Sequence, residues 1–173
     1  MTTSQATAWS PPPPESAPLE RGAVHVWRCN EDAAVARLSA LHQTLSLDER
    51  ARAESFRFEQ DRHRFISCRG ILRELLGNYL GLRPTSLSFT YAQNGKPQID
   101  GNRLHFNLSH TRGVFLIAVA LDQPVGIDVE RIDRALDFRQ VARRFLPAED
   151  SAAVNSSREE LLARTFYECW TRH

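Results

Sequence analysis

Leu104, Phe106 and Leu108 alternate with His105, Asn107 and Ser109, and the run that follows, Val114 to Leu121, is apolar on both faces. Alternation at period two marks a strand with one buried face. A strand apolar on both faces belongs inside a sheet, with neighbours on either side. His110-Thr111-Arg112-Gly113 between the two runs has the chemistry of a hairpin turn. These eighteen residues therefore predict a hairpin whose second strand is central.

The rest of the chain has to supply partners for that strand. Val24-His25-Val26-Trp27 reads as a short strand. Glu31 to Leu45 places Val35, Leu38, Leu41 and Leu45 on one helical face. Ser46-Leu47-Asp48-Glu49 has the form of a capping box, which starts a helix carrying Arg50, Arg52 and Arg57. A longer helix is predicted from Asp61 to Leu80, with Phe65, Cys68, Leu72, Leu75 or Leu76, and Tyr79 inward and Arg62, Arg64 and Arg73 on the opposite face. Gly81 and Pro84 end it. Leu87 to Tyr91 is a further predicted strand, and Asn94-Gly95-Lys96-Pro97 and Asp100-Gly101-Asn102 are turns. Arg139 to Phe145 is helical, Pro147 to Asp150 opens a turn, and Ser156 to Glu160 caps a last helix with the apolar stripe Leu162, Phe166 and Cys169. Helices and strands in this mixture predict an α+β fold.

Composition bounds the function. The 173 residues, 42% hydrophobic and 25% charged, suffice for a globular domain with a core. A net charge of +1 gives no global electrostatic case for nucleic acid or membrane. Cys29, Cys68 and Cys169 are far apart and lack metal-ligand spacing, so they read as reduced thiols in a cytoplasmic protein. No apolar run is long enough to span a bilayer, and the N-terminus lacks the pattern of a secretory signal. Residues 1–20, with Pro11 to Pro14 consecutive, read as a disordered or polyproline tail.

Chemistry concentrates in a few places. Val125-Gly126-Ile127-Asp128-Val129-Glu130 reads as a strand whose two carboxylates share a face. Paired carboxylates suit a hard divalent cation, Mg²⁺ or Mn²⁺, together with phosphate oxygens; a solvated edge-strand face is the other reading. Ser109 and His110 are not a nucleophile–base pair, because neighbours on a strand point to opposite faces. A hydroxyl, an imidazole and turn N–H groups suit an anion instead, or simply finish a hairpin. Gly95-Lys96-Pro97 sets a cation on a tight turn that a ligand can approach, or is a solvated turn. The arginines at 50, 52, 62 and 64 face a multiply charged phosphate ester, or are solvated helix faces paired with Glu49, Glu54 and Glu59.

The order of these pieces is more specific than any one of them. Asn-Gly-Lys-Pro at 94–97, Phe-Asn-Leu-Ser-His at 106–110, Val-Gly-Ile-Asp-Val-Glu at 125–130 and Phe-Tyr-Glu-Cys-Trp-Thr-Arg at 166–172 together resemble a 4'-phosphopantetheinyl transferase of the larger, surfactin-synthetase-activating type, from about Val24 onward. The resemblance implies transfer of the phosphopantetheine arm of coenzyme A to a serine of an apo acyl or peptidyl carrier protein, with release of adenosine 3',5'-bisphosphate. It implies a pseudo-dimer of two similar α/β halves, here 21–122 and a partial second half at 123–173, with coenzyme A and Mg²⁺ between them. By position, Asp128 and Glu130 match the metal carboxylates. Gly95, Lys96 and Pro97 match the turn along the adenine and phosphates, and Ser109 and His110 the phosphate-contacting pair. Arg52 and Arg64 fall near the cations of the 3'-phosphate, and Glu149 near a helix-start glutamate with a base or water-positioning role. The resemblance also implies a monomer when full length.

The family's last motif reads roughly Trp-x-x-Lys-Glu-(Ala/Ser)-x-x-Lys. Trp170-Thr171-Arg172 fits it, and His173 stands where lysine is usual. Asn94 replaces a common tyrosine. The expectation is a C-terminally truncated form of a transferase, with little or no activity. A module that only binds coenzyme A or a carrier protein is the second functional class. A nucleic-acid-binding basic helix is the third, disfavoured by the charge balance.

Overall fold

The computed structural model describes residues 18–93, 95–99, 101–133 and 135–172. The polyproline run, Asn94, Asp100 and His173 lie outside the described residues. The chain divides into two compact units, 1–126 and 127–173.

The first unit is built on a three-stranded antiparallel sheet of β1 (Val24–Asn30), β4 (Leu104–Thr111) and β5 (Val114–Leu121), in the order β1-β5-β4. β5 is central, as its two apolar faces require. Gly113, at φ +90°, makes the tight turn into it. Registers such as Cys29↔Phe115 and His110↔Phe115 place Cys29, Phe115 and His110 in one row across the sheet. Ser109, opposite Leu116, falls in the next row and faces the other way.

α1 (Glu31–Val35), α2 (Leu38–Thr44), α3 (Leu47–Glu54) and α4 (Glu59–Leu80) follow β1. Buried Ile71, Leu72, Leu75 and Leu76 of α4 join Phe106, Phe115, Ile117 and Val119 of the sheet in one core. Each fully buried side chain of this size contributes roughly 1.5–3 kcal/mol. Gly70 lets α2 approach closely, since a β-carbon there would stand 2.6 Å from the Leu41 Cβ. Gly81 takes φ +63°, and the Leu82 N–H closes on the Gly77 carbonyl at 2.9 Å. This is the Schellman ending that the glycine predicts.

Several sequence expectations fail for identifiable reasons. The single helix predicted from Glu31 to Leu45 is broken: the Arg37 N–H bonds back to Ala34, and its guanidinium makes a two-pronged contact with Glu74 at 2.8 and 3.1 Å. The break rotates the apolar face, so Ala34 is buried and Val35 is 40% exposed. Arg57 lies beyond the end of α3. Arg73 is not on a polar face but 1% exposed. Its Nε donates to Glu49 at 2.6 Å, and Nη1 to the carbonyls of Pro84 and Leu87 at 2.8 and 3.0 Å. The strand predicted at Leu87–Tyr91 shrinks to β2 (Thr90–Tyr91), paired with β3 (Pro97–Gln98) behind a short 3-10 turn at Pro84–Ser86.

The acidic run is not a strand. Residues 124–130 pair with no strand among the described residues. Ile127 and Val129 are nevertheless half-buried while Asp128 and Glu130 are exposed, so the alternation of side chains survives.

The second unit packs α5 (Phe138–Phe145), α6 (Ala148–Ser156) and α7 (Glu159–Trp170) around Phe138, Ala142, Val154, Leu162 and Phe166. The Asp137 carboxylate caps α5 by accepting the Gln140 N–H at 3.0 Å. Pro147 to Asp150, expected as a turn, is the start of α6, because proline suits a helix entrance. α7 is flanked by Arg158 without a side-chain cap rather than by the predicted serines.

Candidate functional site

A cleft of about 630 Å³ opens in the first unit between the first half of α4, the Gly95–Pro97 turn and β4. Its α4 wall is a helical stripe. Asp61, Arg64, Phe65, Cys68 and Leu72 fall three or four residues apart and so share a side. The sequence placed Phe65 and Cys68 in the core. They are half-buried because this end of the stripe faces the cleft.

Four separate stretches bring basic groups here. Arg52 comes from α3, and its guanidinium sits 5.4 Å from the centre of the Phe65 ring, which itself lies 5.4 Å from Phe56. Arg64 is fixed by Glu31 at 3.1 Å and Asp61 at 3.3 Å. Glu31 also accepts the Gly113 N–H at 2.9 Å, which ties α1 and the β4–β5 turn to α4. His110 stands at the end of β4 with its ring 6.3 Å from Phe115. Lys96 is the chain's single lysine. Its Nζ donates to the Val125 carbonyl at 2.7 Å, so the turn is tied to the start of the acidic run. Gly95 has φ +77° and nothing within 4 Å of the side chain it lacks, which leaves backbone open beside Lys96.

Six of the residues singled out from the sequence, Arg52, Arg64, Gly95, Lys96, Pro97 and His110, therefore line one cavity. Ser109 does not line it, although Asn107, two residues earlier on the same face of β4, does. Of the arginines read as solvated faces, Arg62 behaves so, 3.6 Å from Glu59. Asp61, Phe56 and Arg69 also line the cleft and were missed. The signal for Arg69 was its spacing: it lies four residues after Phe65 and four before Arg73.

A cation-rich cavity with an aromatic and aliphatic floor suits a phosphorylated ligand with an apolar or stacking part. It offers no thiolate. Burial, with Glu31 adding to it, pushes the Cys68 thiol well up, and burial pushes Cys29 up to about 11.

Asp128, Glu130 and Glu149 belong to the second unit. Glu149 is exposed in the first turn of α6. Among the described residues no three His, Cys, Asp or Glu side chains gather as a metal site. Two exposed carboxylates two positions apart still fit Mg²⁺, which takes one or two carboxylates and completes its shell with water and substrate phosphate.

Comparison with known proteins agrees with the cleft chemistry. Residues 27–122 match the family model described as 4'-phosphopantetheinyl transferase, N-terminal. The chain is 39% identical to the 4'-phosphopantetheinyl transferase HetI of Nostoc sp. over 168 residues, 94% of this chain and 70% of the relative. It is 31% identical to psf-1 of Bacillus pumilus, covering 78% of this chain and 57% of that one. It is 26% identical to Sfp of Bacillus subtilis, covering 73% and 56%. The chain thus spans between somewhat over half and 70% of these relatives' length. It belongs to the 4'-phosphopantetheinyl transferase superfamily, in its Sfp-like group.

Proposed function

We propose that the protein transfers the 4'-phosphopantetheine arm of coenzyme A to a serine of an apo acyl or peptidyl carrier protein, releasing adenosine 3',5'-bisphosphate. The single observation that carries this reading is the cleft lined by Arg52, Arg64, Lys96 and His110 within the stretch that matches the family.

Arg52, Arg64 and His110 hold phosphate oxygens of coenzyme A, and the Gly95–Pro97 turn lies along its nucleotide. The first task of such a site is to neutralise a pyrophosphate and hold it in line with the incoming hydroxyl. Asp128 and Glu130 would hold Mg²⁺, which when bound neutralises charge on the pyrophosphate. As the serine Oγ–P bond forms, the pyrophosphate P–O bond breaks. The serine proton goes to a carboxylate, for which Glu149 is the candidate. Ser109, beside His110 on β4, is proposed as the second member of the phosphate-contacting pair. Residues 123–173 are read as part of a second α/β half. Three helices and no strand are described in 127–173, so the likeness of the halves rests on the family alone.

The test incubates the protein with coenzyme A, Mg²⁺ and an apo carrier protein. The expected result is a carrier heavier by one phosphopantetheine group. Coenzyme A binding with an unmodified carrier points to the binding module instead, and no binding at all rejects both.

A further inference from the structure

Glu49, Arg69 and Arg73 form a buried cluster beside the cleft, with side chains 3%, 11% and 2% exposed. One carboxylate faces two guanidinium groups, which leaves one positive charge in excess. Arg73 is already matched, while Glu49 keeps one buried oxygen, Oε1, with no hydrogen-bond partner among the described residues. Arg73 spends its donors on Glu49 and two carbonyls, and Glu49 also accepts the Ser46 N–H at 3.0 Å. Arg69 is held more loosely. Its Nε lies 3.3 Å from Glu49 without hydrogen-bond alignment, and its Nη2 reaches the Tyr91 hydroxyl at 3.3 Å. Among the described residues, Nη1 is buried with no hydrogen-bond partner. The guanidinium is flanked by Phe89, Tyr91 and Phe65, their ring centres 5.2, 5.8 and 5.9 Å away. Rings of this kind stabilise the cation but satisfy none of its N–H groups.

A buried donor without a partner is costly, and more so when charged. Arg69 lines the same cleft as Arg52, Arg64 and Lys96. We propose that Arg69 is a further phosphate-binding residue of this cleft, its guanidinium shared between Glu49 and a phosphoryl group of the bound ligand, with Glu49 and Arg73 as positioning residues. The proposal rests on the transferase reading and adds a residue to its ligand site. The phosphoryl group is either a monoester or part of a diphosphate, and Arg69 suits both because its planar fork matches two phosphate oxygens at once.

The test is calorimetric titration of the wild-type protein, Arg69→Lys and Arg69→Met with coenzyme A, adenosine 3',5'-bisphosphate, ADP and dephospho-coenzyme A. Arg69→Met is expected to weaken coenzyme A binding about 10- to 100-fold, the size of a charged hydrogen bond. Arg69→Lys should weaken it less. A loss confined to ligands with the monoester assigns the contact to that group, and a loss shared by ADP and dephospho-coenzyme A assigns it to the diphosphate. Folded variants that bind every ligand within twofold of wild type overturn the proposal. A wild-type protein that binds none of them overturns the transferase reading instead. If Arg69→Met does not fold, the Arg69 Nε resonance of the wild-type protein, assigned through Arg69→Lys, decides: a shift on adding coenzyme A supports the contact, and an unmoved signal rejects it.

Discussion

Arg64 and Asp128 are both singled out by the sequence, and they sit in opposite kinds of structure. Arg64 projects from a 22-residue helix and is fixed by carboxylates from α1 and from its own helix. Asp128 is exposed on a run that joins no described sheet. The basic side chains of the first unit are held by its core before any ligand arrives. The acidic pair of the second unit sits on a short irregular stretch, alternating with half-buried Ile127 and Val129. If both charges serve the proposed ligand, one is placed by packing on a long helix and the other by a stretch outside any described sheet. Mutations should affect stability on one side and leave it untouched on the other.

The largest loss is expected at the buried cluster. Glu49→Ala leaves two guanidiniums without their carboxylate and should cost about 3–5 kcal/mol in urea unfolding. A loss under about 1 kcal/mol would mean that water reaches the cluster and that the first unit is less firmly built than described. Gly70→Ala comes next, at about 1–3 kcal/mol, because its β-carbon would collide with Leu41 of α2. An unchanged midpoint would show that α2 gives way freely.

Ser46→Ala is smaller. The capping box of α3 is worth roughly 1 kcal/mol. Ser46 also holds the Asp48 carboxyl below its ordinary value of 3.8, chiefly through the side-chain hydrogen bond. A depressed carboxylate adds stability above its unfolded pKa and loses it as pH falls through the folded one. The Ser46→Ala deficit should therefore narrow as pH drops below about 3.8, and a deficit flat across that range would rule the Asp48 contact out.

The smallest effect on stability is expected for Asp128→Asn, within about 0.5 kcal/mol. Its effect should appear in ligand coupling. Mg²⁺ should tighten coenzyme A binding of the wild-type protein by 5-fold or more, on the order of typical coupling energies, and that gain should vanish in the variant. Equal Mg²⁺ dependence in both proteins would remove Asp128 from the metal site.

The same contrast explains what could be read from the sequence. Period-two and helical patterns placed β5 at the centre and gave α4 its extent and apolar stripe, because burial enforces those periods at every turn. The Gly95–Pro97 turn and His110 were legible as ordered motifs, and Arg52 and Arg64 only by their looser position near the family's cations, although no local rule says that they line one cavity. Arg73 was misread because arginine is exposed by default, and only the fold brings Glu49 and two carbonyls to it. The break at Arg37 was hidden for the same reason, since its cause, Glu74, is 37 residues away. The acidic run has the composition of a strand, but a strand needs a neighbouring edge, which composition cannot supply.

Lys96 gives the most direct test of the claim that coenzyme A occupies the cleft beside the Gly95–Pro97 turn. Because it is the chain's only lysine, reductive ¹³C-methylation yields one lysine signal and one from the terminal amine. The account predicts that titration with coenzyme A moves the lysine signal to a saturating limit and leaves the terminal amine in place. A lysine signal that stays fixed at saturating coenzyme A would contradict it.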